Sequence, residues 1–271
     1  MIGMFFLLSV ACREYELKSG WLDRDVKIDG ETGDWLGRLA FVEDEMVSIG
    51  MMNDGRHLII CLLSENRGRR AQIFQQGMTV WFGKDKNPGR LGLRFPLGMA
   101  EFRREREENG LEKDSALNRR GEGIPVVSPE RMAKIFSDVE IYLPTNDDPV
   151  RLKIDELKGI EIGLDRKSDL LSYELKIPLG RSEDHPFGID AGPGETIIVE
   201  IDVPKMDMGA ASVKRGAGRP MGGGMGGGRG GMGGGMGGSR GGGMAGRPEI
   251  PGSKNLKLRI TVHLAAENQN D

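Results

Sequence analysis

The chain has 271 residues, with 38 basic against 41 acidic side chains and a formal net charge of −3. That balance excludes a general nucleic-acid binder, which carries a basic excess, while a hydrophobic content of 38% suffices for a packed core. Two cysteines, Cys12 and Cys61, are too few for a disulfide framework.

Met1 to Ala11 is an apolar run. It is shorter than the roughly 20 residues a spanning helix needs, and it matches the core of a secretory signal. Ala11-Cys12 resembles the lipobox of bacterial lipoproteins, whose cysteine is lipidated after cleavage. Two features depart from it: no basic residues precede the run, and Ser9 stands where leucine is usual. Export to the cell envelope is the expectation, as a periplasmic or outer-membrane lipoprotein held to the membrane only through Cys12. The competing reading is an N-terminal core strand. Residues 12–20 read as a linker, 21–265 as one domain and 266–271 as a tail.

Within the domain, Val26 to Ile28 reads as a short strand ended by the turn dipeptide Asp29-Gly30. Val47, Ile49 and Met51 share a face at period two, and Asn53-Asp54-Gly55 turns the chain into the apolar strand His57 to Leu63, so a hairpin is expected. Cys61 lies inside that strand and reads as a buried thiol. A Gln-rich connection leads to Thr79-Val80-Trp81-Phe82, and a polar turn leads on to Leu91 to Phe95. Strands joined by polar turns indicate an antiparallel sheet. An insertion, 99–136, interrupts the pattern. It opens as a solvated charged helix from about Met99 to Asn109, continues as a loop, and closes with a helix at Ser128 to Phe136. Strands resume at Asp138 to Leu143, Val150 to Ile154, Ile160 to Leu164, Leu171 to Leu179, Thr196 to Val203 and Leu256 to Leu264. About ten strands suit an all-β, antiparallel two-sheet sandwich of jelly-roll or immunoglobulin-like type.

Residues 207–252 are rich in glycine and methionine. Within them Gly216 to Gly246 offers no branched or aromatic side chains to bury, so a disordered loop is expected. The loop interrupts a hairpin, because Leu256 to Leu264 still needs a sheet partner. Its arginines resemble Arg-Gly-Gly tails only faintly, and its methionines could bind a soft metal such as Cu(I); a plain surface loop is the simpler reading.

Four motifs occur in order. Val26-Lys27-Ile28-Asp29-Gly30 is followed by Asp34-Trp35. Asn53-Asp54-Gly55-Arg56-His57-Leu58 comes next, then Gly77-Met78-Thr79-Val80-Trp81-Phe82, then Tyr173-Glu174-Leu175-Lys176-Ile177-Pro178. Together they resemble the family 9 carbohydrate-binding-module-like superfamily, which includes DOMON domains. Ile59 replaces a usual aromatic and Gly83 a usual aspartate. The resemblance covers Trp21 to Leu264 apart from the two insertions. It implies a jelly-roll-like sandwich in bacterial envelope or secreted proteins, without fixing the ligand.

No catalytic constellation is legible: His57, His185 and His263 are scattered, and no phosphate-binding loop is present. The chain therefore reads as a non-catalytic binding or scaffolding module. A glycan is the first ligand class, because sugars stack on aromatic faces among polar rim groups. Trp35, Trp81, Asn53 and Asp54 are the candidate ligand residues. Trp35 could instead plug the end of the sandwich, and Trp81 could belong to the core; Trp81 and Phe82 point to opposite faces of one strand. No resident cofactor is expected. Asp29, Glu31 and Asp34 crowd one turn with hard oxygens that would suit Ca²⁺, or simply cap the backbone. By the resemblance, haem b would need an axial pair such as Met51, Met52 or Met78 with Lys176 or His185. Envelope proteins are alternative partners, with the arm from Met99 to Arg120 as a docking element.

Overall fold

The computed structural model describes residues 14–22, 24–84, 90–101, 129–146, 148–165, 170–206 and 254–267. The signal-like segment with Cys12, most of the charged insertion and the Gly/Met-rich loop lie outside these. Among the described residues no helix is long and apolar enough to cross a membrane.

The strands are β1 (Glu14–Lys18), β2 (Gly20–Trp21), β3 (Ala40–Val42), β4 (Val47–Asn53), β5 (His57–Ser64), β6 (Thr79–Gly83), β7 (Leu91–Arg94), β8 (Asp138–Tyr142), β9 (Val150–Lys153), β10 (Glu161–Asp165), β11 (Leu171–Pro178), β12 (Thr196–Val203) and β13 (Leu256–His263). The helices are α1 (Arg67–Gln76) and α2 (Pro129–Ser137). One sheet has the order β1-β13-β12-β6-β7-β8-β9. The other runs β10-β11-β5-β4-β2, with β3 also on β4. They pack face to face over a single large core that includes Val80, Phe82, Leu175, Val199 and Ile260.

The two sheets differ in what covers their outer faces, and the sequence shows why. β13 alternates strictly: Leu256, Leu258, Ile260 and Val262 are buried, while Lys257, Arg259, Thr261 and His263 face out. Such a strand has one solvated face. In β5 the run is apolar throughout. Leu58, Ile60 and Leu62 enter the main core, while Ile59 and Cys61 enter a second cluster with Trp35 and Met52. The segment between β2 and β3 lies over that outer face and closes it with Leu22, Val26, Ile28 and Leu39. Among the described residues the sandwich thus has a third, irregular layer on the six-stranded sheet.

The hairpins β4–β5 and β12–β13 form as expected, the latter pairing Thr196 with His263 through to Val203 with Leu256. Four features differ from the sequence reading. Residues 14–18 form an edge strand parallel to β13 rather than a linker. β2 is likewise parallel to β4, so both sheets are mixed at an edge. Val26 to Ile28 is not a strand, since it packs across a sheet face instead of pairing within the sheet. The Gln-rich connection is a helix, α1, with the Asn66 side chain accepting from the Arg69 amide at its N-terminus.

Candidate functional site

The motif residues converge on the covered face rather than on an open pocket. Glu174 of β11 is buried, and its Oε2 accepts from the Gly30 amide at 2.7 Å. Its Oε1 accepts from Trp35 Nε1, also at 2.7 Å. One carboxylate therefore holds both halves of the first motif. Burial pushes the Glu174 carboxyl above its ordinary value, against the pull of those two donors. Gly30 has φ +84°, and a Cβ there would sit 2.6 Å from the Asp165 amide nitrogen, so the turn presses onto β10 as only glycine allows. Trp35 is 0% exposed. It presents no face to a ligand here and closes the third layer.

Asn53 is also fully buried. Its amide group donates to the Ala265 carbonyl at 2.9 Å and accepts from the Ala265 amide at 2.9 Å, with the Ser19 hydroxyl as a further donor. It ties β4 to the end of β13. Asp54 Oδ1 accepts from the Arg56 and His57 amides at 2.6 and 2.5 Å, closing the hairpin turn. Asp29 Oδ1 accepts from the Glu31 amide at 2.9 Å. Among the described residues, no three His, Cys, Asp or Glu side chains are grouped so as to hold a metal ion. Asp29, Glu31 and Asp34 therefore form no such cluster. Of the haem candidates, Met51 and Met78 lie in the main core, whereas Met52 lies in the outer cluster and Lys176 pairs with Glu161 at 2.7 Å.

Trp81 is different. On β6, Val80 and Phe82 are buried in the core and Trp81 faces out, half-buried. The register places it between Glu200 of β12 and Gly92 of β7, with Tyr142 of β8 next in the row. The indole lies on Gly92: a Cβ there would be 2.5 Å from a ring carbon. With that space open, the indole reaches Tyr142, at 5.1 Å between centroids and 48° between planes. The guanidinium carbon of Arg90 is 5.6 Å from the indole centroid, within cation–π range.

Paired charges frame these rings. Glu200 Oε2 accepts from Arg90 Nη1 at 2.7 Å, and Arg259 and Lys257 approach it at 3.4 Å each. Glu140 accepts from Arg151 Nη2 at 2.6 Å, and from Arg94 Nη1 and the Tyr142 hydroxyl at 3.1 Å each. Burial alone would raise both carboxyls, yet hydrogen bonds and charge from the basic neighbours hold both below the ordinary value. Both are therefore ionised at neutral pH, and neither is poised to donate a proton. The face offers an aromatic surface and oriented polar groups. It suits binding.

Of the candidate ligand residues, the structure brings Trp81 to this face and Trp35, Asn53 and Asp54 to the structural ties described above. Tyr142, Arg90, Gly92 and Glu200 were not singled out from sequence. Outward alternation in each strand was the available signal, but the register joining four strands into one row is not written locally.

No protein-family model and no curated protein matches the chain. Solved structures do. A family 9 carbohydrate-binding module from Caldicellulosiruptor kristjanssonii in complex with glucose is 8% identical, over 94% of this chain and 100% of that one, with a TM-score of 0.41. A module of that family and organism in complex with cellotriose is 10% identical, over 72% and 78% of the two chains, at 0.34. A Bacteroides uniformis protein described as carbohydrate-binding is 10% identical, over 71% and 84%, at 0.35. At scores this low, the architecture and the site rest on the chain's own strands and side chains.

Proposed function

We propose that this chain is a non-catalytic binding module of the bacterial cell envelope, and that it takes a glycan on the outer face of the seven-stranded sheet. The observation that carries this reading is the outward Trp81–Tyr142 pair laid over Gly92. Pyranose rings present apolar C–H faces, which aromatic rings cover, while their hydroxyls need fixed donors and acceptors nearby. Arg90 and Glu200, oriented by their ion pair, and Glu140, held by Arg151, supply those. Envelope placement rests on the apolar run before Cys12.

The test is a glycan array followed by calorimetry on the best binder. Wild-type protein is expected to bind, and Trp81→Ala to weaken binding by about tenfold or more, or roughly 1.4 kcal/mol. Gly92→Ala is expected to act in the same direction, because its methyl would lift the indole off the sheet. A blank array at high protein concentration, or a Trp81→Ala variant that binds normally, would remove the basis for the proposal. Mass spectrometry of the mature N-terminus in the native host tests the anchor: an acylated Cys12 is expected, and an intact Met1 would overturn it.

A further inference from the structure

We infer, resting on the glycan reading above and narrowing its ligand class, that the Trp81–Tyr142 face takes a single soluble glycan chain and rejects the flat surface of a crystalline polysaccharide.

The two rings do not share a plane. Their centroids are 5.1 Å apart and their planes stand at 48°, so a flat surface can lie against one ring only. The tilt is held from both ends. On one side the Tyr142 hydroxyl donates to Glu140 Oε2 at 3.1 Å. That carboxylate is buried and fixed by Arg151 Nη2 at 2.6 Å and Arg94 Nη1 at 3.1 Å. Arg94 is anchored in turn, its Nη2 donating to the Leu97 carbonyl at 2.9 Å. On the other side the indole lies on Gly92, with the Arg90 guanidinium beside it and bonded to Glu200. Bringing the rings into one plane would break these ties. A ligand therefore meets them at the angle already set, without the cost of ordering them.

The charged groups act in the same direction. Strand order places Glu200 of β12 on one side of the rings and Arg151 of β9 on the other. Arg90 and Arg151 are part-exposed, at 27 and 37%. A continuous solid would strip water from both ion pairs at once, and its hydroxyls are locked in the lattice and cannot turn to replace that water. A single chain turns at each glycosidic linkage. Neighbouring sugars can then present apolar faces in different planes, with hydroxyls directed to Arg90 and Glu200 while the far side of the chain stays hydrated.

The experiment sets solids against soluble chains on the whole protein. Depletion is measured on suspensions of crystalline cellulose and crystalline chitin. Calorimetric titration uses cellohexaose, chitohexaose, xylan and galactomannan beside the best soluble binder from the array. At least one soluble chain is expected to bind, and Trp81→Ala and Tyr142→Leu to bind it about tenfold or more weakly. Tyr142→Leu keeps apolar bulk and leaves Glu140 with both arginines, so it should stay folded. Neither solid should deplete wild-type protein more than it depletes Trp81→Ala. Depletion by a solid that Trp81→Ala abolishes would overturn the inference, whatever the soluble chains do. So would soluble binding that Tyr142→Leu leaves unchanged. Both results would leave the glycan reading standing. No binding to any solid or soluble chain, or binding that Trp81→Ala does not weaken, would instead remove the glycan reading itself and this inference with it.

Discussion

Trp35 and Trp81 illustrate how similar residues divide between scaffold and surface. Both were candidates for stacking on a ligand. Trp35 follows a turn and ends up under the third layer with its indole N–H given to Glu174. Trp81 lies in a strand that buries only its even-numbered neighbours, so it remains on the solvated face. The distinction was legible in part, since Trp81 and Phe82 had to face opposite ways. For Trp35 the deciding fact is a partner 139 residues away, which no local pattern displays. The roles make a sharp prediction. Trp35→Phe keeps an aromatic ring, but it leaves a void where the indole was and Glu174 Oε1 buried without its donor, at a cost of at least about 1–3 kcal/mol. Denaturant unfolding should show that loss, while the proposed glycan binding through Trp81 should be unchanged. If Trp35→Phe instead abolished binding without destabilising the fold, the assignments of the two tryptophans would have to be exchanged.

At the scale of elements, strands with regular alternation or long apolar runs were readable, and α1 and β1 were not. The α1 sequence, Arg-Gly-Arg-Arg-Ala-Gln-Ile-Phe-Gln-Gln, has too few apolar residues to mark a helical stripe. Its buried face includes Arg69 and Gln72, whose partners come from distant parts of the chain. Arg69 pairs with Glu45 at 2.9 Å. Gln72 Nε2 donates to the carbonyls of Pro204 and Lys254 at 2.9 and 2.8 Å. The remaining local signals were Asn66 before the helix and Gly77 after it, which are boundary marks without a periodic interior. β1 was missed for a related reason: its short run of alternating residues pairs with β13, some 245 positions later. Gln72 thus pins the ends of β12 and β13 just where the Gly/Met-rich insertion leaves and returns. Gln72→Met preserves the volume and deprives both carbonyls of a donor. A loss of about 1–3 kcal/mol is expected, with faster amide exchange at Val203 and Leu256 than elsewhere in the sheet. Uniform exchange across the two strands would mean that the pairing of β12 with β13 alone holds these strand ends together.

For the whole molecule, Glu140 and Glu200 on one sheet and Glu174 on the other are shifted in opposite directions, and that opposition shapes stability against pH. Glu140 and Glu200 are held below the ordinary glutamate value of 4.5 by their arginine partners. A lowered carboxyl contributes stability above the unfolded value and loses it as pH falls through the folded one. This set therefore weakens the fold below about pH 4.5. Glu174 is raised by burial, with the neighbouring Asp29 charge adding to the rise, against donors from Trp35 and the turn amides at Asp29 and Gly30. A raised carboxyl contributes fully below the unfolded value and loses that contribution as pH climbs through its folded value. This group works in the window above about pH 4.5. The two sets sit on different sheets and can be separated by substitution. Glu140→Gln should be less stable than wild type at about pH 7, and the gap should narrow as pH falls below about 4. Glu174→Gln, which also misaligns one of the two donors, should show its largest deficit in acid and a smaller one at about pH 7, where the wild type bears the cost of a buried charge. Thermal melts of the three proteins across this range test both signs. Parallel profiles for wild type and Glu174→Gln would mean that Glu174 does not change protonation across the window, and that its two hydrogen bonds, rather than its burial, set its charge.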